Sequence, residues 1–245
     1  MVSIMHLSII IVNYNTCQLT KECLRSVFRS KTRFSYEVIV VDNASIDASV
    51  REIKVDFPQV KIIENNSNLG FSKANNLGID RAEGEYVLLL NSDTVIEADT
   101  IETMLQFMIS NPQLGAAGCK ILLPDGSLDK ACKRSFPTPI NSTYYALGLA
   151  KLFPGNPKFN AYQLGHLSED DEHFIDCLVG AFMIVRGETI KQVGKLDEDF
   201  FMYGEDIDWC YRIKSAGWEI AYNPSATITH YKGASSIKKT CEDCL

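Results

Sequence analysis

Hydrophobic and polar positions along the first half of the chain predict strands and helices in alternation. Four short apolar runs, rich in β-branched residues, predict buried strands over residues 7–12, 37–41, 60–64 and 86–90. Segments with apolar residues at helical spacing follow them and predict helices over 19–30, 47–56, 72–82 and 100–110. Strand–helix alternation of this kind predicts a parallel sheet covered by helices on both faces.

The second half of the chain is less regular. It predicts strands over 115–123, 178–185, 219–222 and 226–229, and a helix over 204–216 closed by Gly217. Four prolines break residues 133–171, and an acidic run, 169–172, ends that segment. A long aperiodic segment inside a domain is typical of a functional loop or lid. With no internal repeat and no low-complexity linker, we expect one α/β domain over 1–245 with a mixed sheet.

Composition and charge narrow the possible partners and the compartment. The chain has 245 residues and a net charge of −7, which argues against a nucleic-acid binder. No apolar run approaches the ~20 residues that span a bilayer, and a secretory signal is not expected. Eight scattered cysteines in a chain large enough not to need staples predict reduced thiols and a cytoplasmic location. Cys241 and Cys244 lack the second pair that a zinc site requires.

Polar residues follow each of the four predicted strands of the first half. They are Asn13-Tyr14-Asn15, Asp42-Asn43, Asn65–Asn68 and Asn91-Ser92-Asp93. Ligands bind beyond the carboxyl ends of such strands, and no glycine-rich phosphate-binding motif is present. One carboxylate there can accept from the imide N–H of a pyrimidine, and another can hold a cation that bridges a pyrophosphate. This chemistry suits a nucleotide-diphosphate donor.

Several ordered motifs carry a resemblance to a known family. They are VIVVDNASID, NSNLGFSKANNLGI, YVLLLNSDT, GAFMIVRGE, FMYGEDIDWCYRIKSAGW and ITHYKGAS. Together they resemble the family 2 glycosyltransferases, in their rhamnosyltransferase-like bacterial branch, over about residues 7–236. The resemblance implies the GT-A fold, a Rossmann-like α/β fold whose mostly parallel mixed sheet is flanked by helices on both faces. It also implies a nucleotide-binding half over about 1–95 and an acceptor-binding half over about 96–245.

The resemblance assigns a set of residues to the donor. Tyr14 and Asp42 resemble the residues that stack on the base and hydrogen-bond to it. The alternative for Asp42 is that it only ends a strand in a turn, a position that Asp favours. The remaining donor-binding residues implied by the resemblance are Asn15, Asn43, Asn68, Gly70, Phe71, Asn75, Asn91, Gly180 and Ala181, the last two lining the sugar pocket.

A divalent cation, Mg²⁺ or Mn²⁺, is also implied. Asn91-Ser92-Asp93 stands where the family carries its DxD motif, so Asp93 keeps the metal-binding carboxylate while Asn91 replaces the first Asp. His230 matches a histidine that completes the metal site. The alternatives are that Asp93 caps a following helix, that His230 has a structural role, and that the protein works without metal.

Three carboxylates, Glu205, Asp206 and Asp208, open the predicted helix at 204–216. The helix dipole alone would explain them. The resemblance makes Asp206 the base that takes the proton from the acceptor hydroxyl, with Glu205 as its competitor. Trp209 is expected either to pack on a sugar or to lie in the core.

The resemblance therefore predicts an enzyme, an inverting glycosyltransferase of cell-surface polysaccharide synthesis. Its donor would be a dTDP- or UDP-sugar, including dTDP-rhamnose, and its acceptor a saccharide or a lipid-linked saccharide. One alternative is a catalytically decayed protein that acts as a sugar-binding or scaffold module. Another is a nucleotidyltransferase, which would need a basic glycine-rich phosphate loop that residues 13–17 do not supply. Lys232, Lys238 and Lys239 could contact the inner face of the membrane.

Overall fold

A computed structural model describes residues 5–153 and 155–232. Nine strands of this part of the chain form one sheet. The strands are β1 Leu7–Asn13, β2 Tyr36–Asp42, β3 Lys61–Glu64, β4 Tyr86–Leu90, β5 Thr94–Ile96, β6 Leu114–Leu122, β7 His173–Phe174, β8 Phe182–Arg186 and β9 Glu219–His230. The four strands predicted in the first half are confirmed to within one residue at each end.

Eight α-helices accompany these strands in the described residues. They are α1 Cys17–Phe28, α2 Ser49–Asp56, α3 Gly70–Ile79, α4 Thr100–Ser110, α5 Pro139–Ala146, α6 Leu149–Leu152, α7 Gly187–Val193 and α8 Glu205–Ser215. Every predicted helix is present. α1 forms because Cys23, Leu24 and Val27 lie on one face and are buried there. In α8 the acidic first turn and basic last turn, which contains Arg212, both match the helix dipole.

The sheet is mixed, with strand order β3-β2-β1-β4-β8-β6-β9-β5 and β7 paired to β9. Strands β1 to β4 run parallel to one another. β8 pairs antiparallel with both β4 and β6, and β6 is parallel to β9. β5 and β7 pair antiparallel with β9, so six of the nine strands run in one direction. The predicted α/β fold with a mostly parallel mixed sheet is thereby confirmed.

This topology places the polar strand ends at one edge of the sheet. β1 pairs with β2 on one side and with β4 on the other. The chain leaves β1 in one direction for β2 and β3, and β4 lies on the opposite side. A crevice opens at such a switch point beyond the carboxyl ends of the strands. The residues that follow β1, β2 and β4 therefore share it.

Several elements of the second half differ from the predictions. The segment predicted as an aperiodic loop contains α5 and α6, and α7 and the short strands β5 and β7 were not predicted. The two predicted strands at 219–229 are one strand, β9, whose register to β6 shifts between Asn223 and Thr227. Pro224 lies inside this bulge, because proline has no N–H to donate to a ladder.

The described part of the chain bears on two further predictions, those on the cysteines and on membrane-spanning helices. Its six cysteines are free and buried, as expected for reduced thiols. No helix within residues 5–153 and 155–232 is long and apolar enough to cross a membrane. Cys241, Cys244, Lys238 and Lys239 lie outside the described residues.

Candidate active site

The expected base pocket is built on the ends of β1 and β2. Asn13 and Asp42 are register partners, and both are buried. The Asn13 amide donates to Asp42 Oδ1 at 2.6 Å, and the backbone N–H of Ser45 donates to Asp42 Oδ2 at 2.9 Å. The strand-ending turn is thus present, and each carboxylate oxygen keeps a second acceptor site for a ligand. Tyr14 stands beside this pair with 42% of its surface exposed.

Asn15 ties two loops of this edge together. Its backbone lies in the left-handed region at φ +55°, a conformation that Asn tolerates better than most residues. Its backbone N–H donates to the Ser45 hydroxyl at 2.9 Å, and its side-chain oxygen accepts from the Ile46 backbone at 2.8 Å. The contacts of Asn15 therefore hold the pocket in shape.

The donor-binding wall is a turn held from two sides. Asn43 donates to the Gly70 carbonyl at 3.1 Å, and the Gly70 N–H donates to Asn68 Oδ1 at 3.0 Å. Gly70 has φ +82°, and a Cβ there would lie 2.4 Å from the Phe201 carbonyl oxygen. That same oxygen accepts from the Phe71 N–H at 2.7 Å. Glycine is required at this position, and the wall packs against the loop that leads to Glu205.

Asn75 makes a different contact from the rest of this group. It is buried, and its amide donates to the Phe71 carbonyl within α3 at 2.9 Å. This bond lies inside the helix and gives Asn75 a structural contact. Its assignment to the donor remains a prediction.

Small residues link the wall to the strand end that carries Asn91. A Cβ on Gly180 would lie 3.1 Å from the Phe71 ring. Ala181 is buried, and its carbonyl accepts from the Asn91 N–H at 3.0 Å. Glycine at 180 therefore allows the close approach of the Phe71 ring, and the assignment of Gly180 and Ala181 to a sugar pocket stays a prediction.

A charged cluster joins Asp93, His230, Asp129 and Lys232. His230 Nε2 lies 3.3 Å from Asp93 Oδ1, and His230 Nδ1 lies 3.4 Å from Asp129 Oδ2. Burial alone would lower the pKa of His230, but hydrogen bonds with Asp129 and Asp93 outweigh it and raise the pKa to about 9. Burial alone would raise the pKa of Asp129, but bonds from His230 and the Ala131 N–H and the Lys232 charge lower it to about 2.

The geometry of this cluster fits a hard divalent cation. Oδ1 of Asp93 and Nε2 of His230 are separated by about the distance of neighbouring ligands in an octahedral site with bonds of ~2.1 Å. Asp129 on the opposite ring nitrogen is the orienting partner that metal-binding histidines usually have. Because no group of three or more metal-ligating side chains occurs in the described residues, most other ligands would come from substrate phosphates and water.

Asp93 does not cap a helix. It is followed by β5, and the residue that precedes α4 is Asp99. That alternative for Asp93 is wrong. Asn91, at the first position of the motif, supplies its backbone carbonyl to the Thr94 hydroxyl at 2.7 Å and thereby shapes the turn.

The predicted catalytic pair opens α8 and is buried. Asp206 Oδ2 forms an ion pair with Arg134 at 2.6 Å, and Asp206 Oδ1 accepts from the Ile207 N–H at 2.8 Å. The same guanidinium donates to the Leu178 carbonyl at 2.6 Å. Arg134 therefore joins the start of α8 to the segment before β8 and fixes the orientation of the Asp206 carboxylate.

Glu205 has a different environment. Its Oε2 is buried and has no hydrogen-bond partner among the described residues. Burial raises the pKa of Glu205 to about 6, and the neighbouring Asp206 charge acts in the same direction. Backbone hydrogen bonds from Glu205 and Tyr203 act in the opposite direction but do not outweigh burial. Buried carboxylates with a raised pKa cluster at functional sites. The helix dipole alone does not explain Glu205.

Two other residues bear on this region. Trp209 is fully buried, and its Nε1 donates to the Gly194 carbonyl at 2.9 Å, so it lies in the core and does not contact a sugar. Arg134 was not singled out in the sequence. It lies in the segment predicted as a loop, and no periodicity or motif there indicated that it would meet Asp206.

A cavity of about 950 Å³ adjoins part of the charged cluster and Arg134, the partner of Asp206. Asp129 and Lys232 line it on one side, and Arg134 lines it on another. Tyr145 and Tyr162, from the segment predicted to shape the acceptor site, add aromatic surface. The cavity therefore reaches Asp129, which contacts His230, and Arg134, which pairs with Asp206.

Two family models match the chain. The model described as glycosyl transferase family 2 matches residues 8–155. The model described as glycosyl transferase family group 2 matches residues 86–242. The first covers more than half of the chain, and together they include every residue of the site described above.

Several curated proteins with related sequences are named as sugar transferases. The N-acetylglucosaminyl-diphospho-decaprenol L-rhamnosyltransferase of Mycobacterium tuberculosis is 32% identical over 81% of this chain and 67% of its own length. The rhamnosyltransferase WbbL of Escherichia coli is 27% identical over 80% of this chain and 73% of its own length. A hexosyltransferase of low-salt glycan biosynthesis, Agl10 of Haloferax volcanii, is 29% identical over 85% of this chain and 61% of its own length.

Solved structures share the fold at lower identity. GalNAc-T7, solved with UDP, GalNAc and Mn²⁺, superposes with a TM-score of 0.69 at 15% identity, covering 94% of this chain and 44% of its own. The mannosyltransferase PcManGT of Pyrobaculum calidifontis, solved with GDP-Man and Mn²⁺, superposes with a TM-score of 0.65 at 19% identity. The match covers 92% of this chain and 56% of that protein's own. These likenesses show the GT-A fold. With the matched family model and the rhamnosyltransferase relatives, they identify the chain as a glycosyltransferase that belongs to glycosyl transferase family 2.

Proposed function

We propose that this enzyme transfers a sugar, with inversion, from a pyrimidine nucleotide-diphosphate donor to a saccharide carried on a lipid diphosphate. The observation that carries the proposal is that Asp42 ends β2 and Asp93 follows β4, the two strands on either side of β1, so both carboxylates lie at the carboxyl edge of the sheet. dTDP-rhamnose is the first donor to test, because two relatives are named as rhamnosyltransferases. The acceptor class rests on the M. tuberculosis relative, whose name specifies a lipid-diphosphate sugar.

The donor would lie across the strand ends. The Asp42 carboxylate accepts from the imide N–H of the base, and the exposed Tyr14 ring stacks on it. The turn of Asn68 to Phe71 would form the wall of the nucleotide site, and Gly180 and Ala181 would lie beside the sugar. Since uracil and thymine present the same imide edge, this arrangement accepts either base.

Asp93 and His230 would hold the cation, with Asp129 orienting the histidine. Mn²⁺ or Mg²⁺ bound there would supply positive charge to the pyrophosphate leaving group. Of the two structural neighbours described above, both were solved with Mn²⁺. A single carboxylate and one imidazole make a weak site by themselves, so we expect the cation to bind together with the donor.

Asp206 would act as the base. Its carboxylate takes the proton from the acceptor hydroxyl as that oxygen bonds to the anomeric carbon, while the bond from this carbon to the phosphate oxygen breaks on the opposite face. The electron pair of that bond leaves with the nucleoside diphosphate. Arg134 holds the Asp206 carboxylate in place through their ion pair.

A thermal-shift screen tests the proposal. Purified protein is melted with dTDP-rhamnose, UDP-sugars and GDP-mannose, each with and without Mn²⁺. A true donor at 100 times its dissociation constant should stabilise the protein by ~2.7 kcal/mol. We expect the largest stabilisation from a pyrimidine donor with Mn²⁺. Equal shifts with GDP-mannose, or no shift with any donor, would contradict the proposal.

A further inference from the structure

The helices α5 and α6 carry an unusual concentration of exposed apolar side chains. Fifteen large apolar or aromatic side chains are exposed in the described residues, and five of them lie within residues 140–153. These five are Ile140, Tyr145, Leu147, Leu152 and Phe153, exposed by between 49% and 70%. Scattered apolar side chains are ordinary on a surface, whereas a concentration in one short segment marks an interaction site.

The arrangement within α5 separates an anchored face from an exposed one. Asn141 is buried, and its amide donates to the Phe136 carbonyl at 2.9 Å, while a capping box with Thr138 fixes the helix start. Ile140 and Leu147 are seven residues apart and therefore lie on the same side of the helix. The protein holds one side of α5 and leaves Ile140 and Leu147 on the other side to solvent.

Charge distinguishes this segment from the rest of the chain. Residues 130–168 contain five Lys and Arg residues and no Asp or Glu, whereas the remaining residues contain 19 basic and 31 acidic side chains. Lys151 lies in α6 between the exposed apolar positions, and Lys158 sits 5.9 Å above the Tyr144 ring. An apolar surface set among lysines and tyrosines is typical of segments that lie in the headgroup region of a bilayer.

The segment is also continuous with the candidate acceptor site. Tyr145, Ala150 and Lys151 line the 950 Å³ cavity, whose wall includes Arg134, the partner of Asp206. A substrate held in a bilayer beneath α5 and α6 would bring its headgroup to the rim of this cavity. The cavity lining carries five basic side chains against Asp129 and Glu169, so its charge suits a diphosphate.

We propose that α5 and α6 dock this enzyme on an anionic lipid bilayer and open its acceptor cavity toward the membrane surface. The exposed apolar side chains enter the headgroup region, and the exposed lysines Lys130, Lys151 and Lys158 attract anionic lipid. The docking itself rests on the surface described here, and only the delivery of a lipid-linked acceptor rests on the proposed function.

Vesicle sedimentation of the full chain tests the docking. The wild type is compared on phosphatidylcholine vesicles with and without one third phosphatidylglycerol. We expect binding to the anionic vesicles, at least tenfold weaker binding to the neutral ones, and at least a tenfold loss in L147E/L152E. Val55→Glu is the matched control, because Val55 is 74% exposed on α2, outside the segment, and should bind like the wild type.

Two double variants that reverse lysine charges test the electrostatic part of the proposal. K151E/K158E should bind anionic vesicles at least tenfold more weakly, whereas K31E/K191E, which changes two exposed lysines elsewhere, should lose clearly less. Absence of wild-type binding to anionic vesicles, or wild-type binding by L147E/L152E, would overturn the proposal. Donor binding, measured as the melting shift with dTDP-rhamnose and Mn²⁺ in the same preparations, is read separately. Its absence in a wild type that binds vesicles would contradict the proposed function and leave the docking intact.

Discussion

Replacing Glu205 by Gln should stabilise the protein at neutral pH. Glu205 is buried at the start of α8, its Oε2 has no hydrogen-bond partner in the described structure, and its pKa is raised to about 6. Folding therefore carries the cost of keeping an ionised carboxylate out of water. A glutamine of the same shape removes the charge.

The pKa gives the size and the sign of the effect. A folded-state pKa of about 6 against an ordinary value of 4.5 corresponds to about 2 kcal/mol, at 1.36 kcal/mol per unit. The pKa of Glu205 is higher in the folded state than in the unfolded state, so its protonated form contributes to the free energy of unfolding. This contribution is fully present below pH 4.5 and is lost as the pH rises through about 6. The gain in E205Q should be near zero at pH 4.5 and about 1–2 kcal/mol at pH 7.5, since the buried amide still lacks a partner.

Melting curves from pH 4.5 to pH 8 measure this. For a chain of this length, 1–2 kcal/mol corresponds to a rise in Tm of roughly 3–6 °C. Glu172→Gln is the control, because Glu172 is exposed and its substitution should give no pH-dependent difference. A Tm difference between E205Q and wild type that stays constant over this pH range would refute the reasoning.

Three further substitutions probe the other parts of the site. Asp42→Asn should weaken the affinity for UDP and dTDP about tenfold by calorimetry, because an amide can present a donor where the base needs an acceptor; equal affinities would remove Asp42 from the pocket. Asp93→Ala should abolish the Mn²⁺-dependent part of donor binding. Wild-type turnover that survives EDTA would show that the protein, with Asn91 in place of the first Asp of the DxD motif, is metal-independent. Arg134→Ala should lower the free energy of unfolding by about 3–5 kcal/mol because it leaves Asp206 buried without its partner, and R134A/D206N should recover part of this loss in denaturant titrations.

The first half of the fold could be predicted because its signals are local. Buried parallel strands are continuous apolar runs, and β1, β2 and β4 have this pattern at their observed positions. The helices α5 and α6 were missed because their exposed apolar side chains follow no amphipathic pattern that faces a core. β5 has three residues, too few for any periodicity to show.

Site residues that belong to a sequence motif could be predicted. Residues that join the site only through tertiary contacts could not. Asp93 and His230 are 137 positions apart, and their proximity follows from the pairing of β5 with β9, in which Thr94 faces His230. Arg134 and Asp129 belong to no recognised motif. Their roles arise from ion pairs with residues distant in sequence, which neither composition nor spacing indicates.

The most direct test of the account is the behaviour of Asp206→Asn in donor binding and in transfer. Asparagine keeps the shape of the side chain but cannot accept the acceptor's proton, so kcat should fall by about 10²–10⁴ while the affinity for the nucleotide-sugar changes little. Calorimetry and a transfer assay on the same preparation, with Glu205→Gln beside it, measure both quantities. Transfer by D206N at the wild-type rate would contradict the assignment of the base, and an inactive E205Q in the same assay would move that role to Glu205.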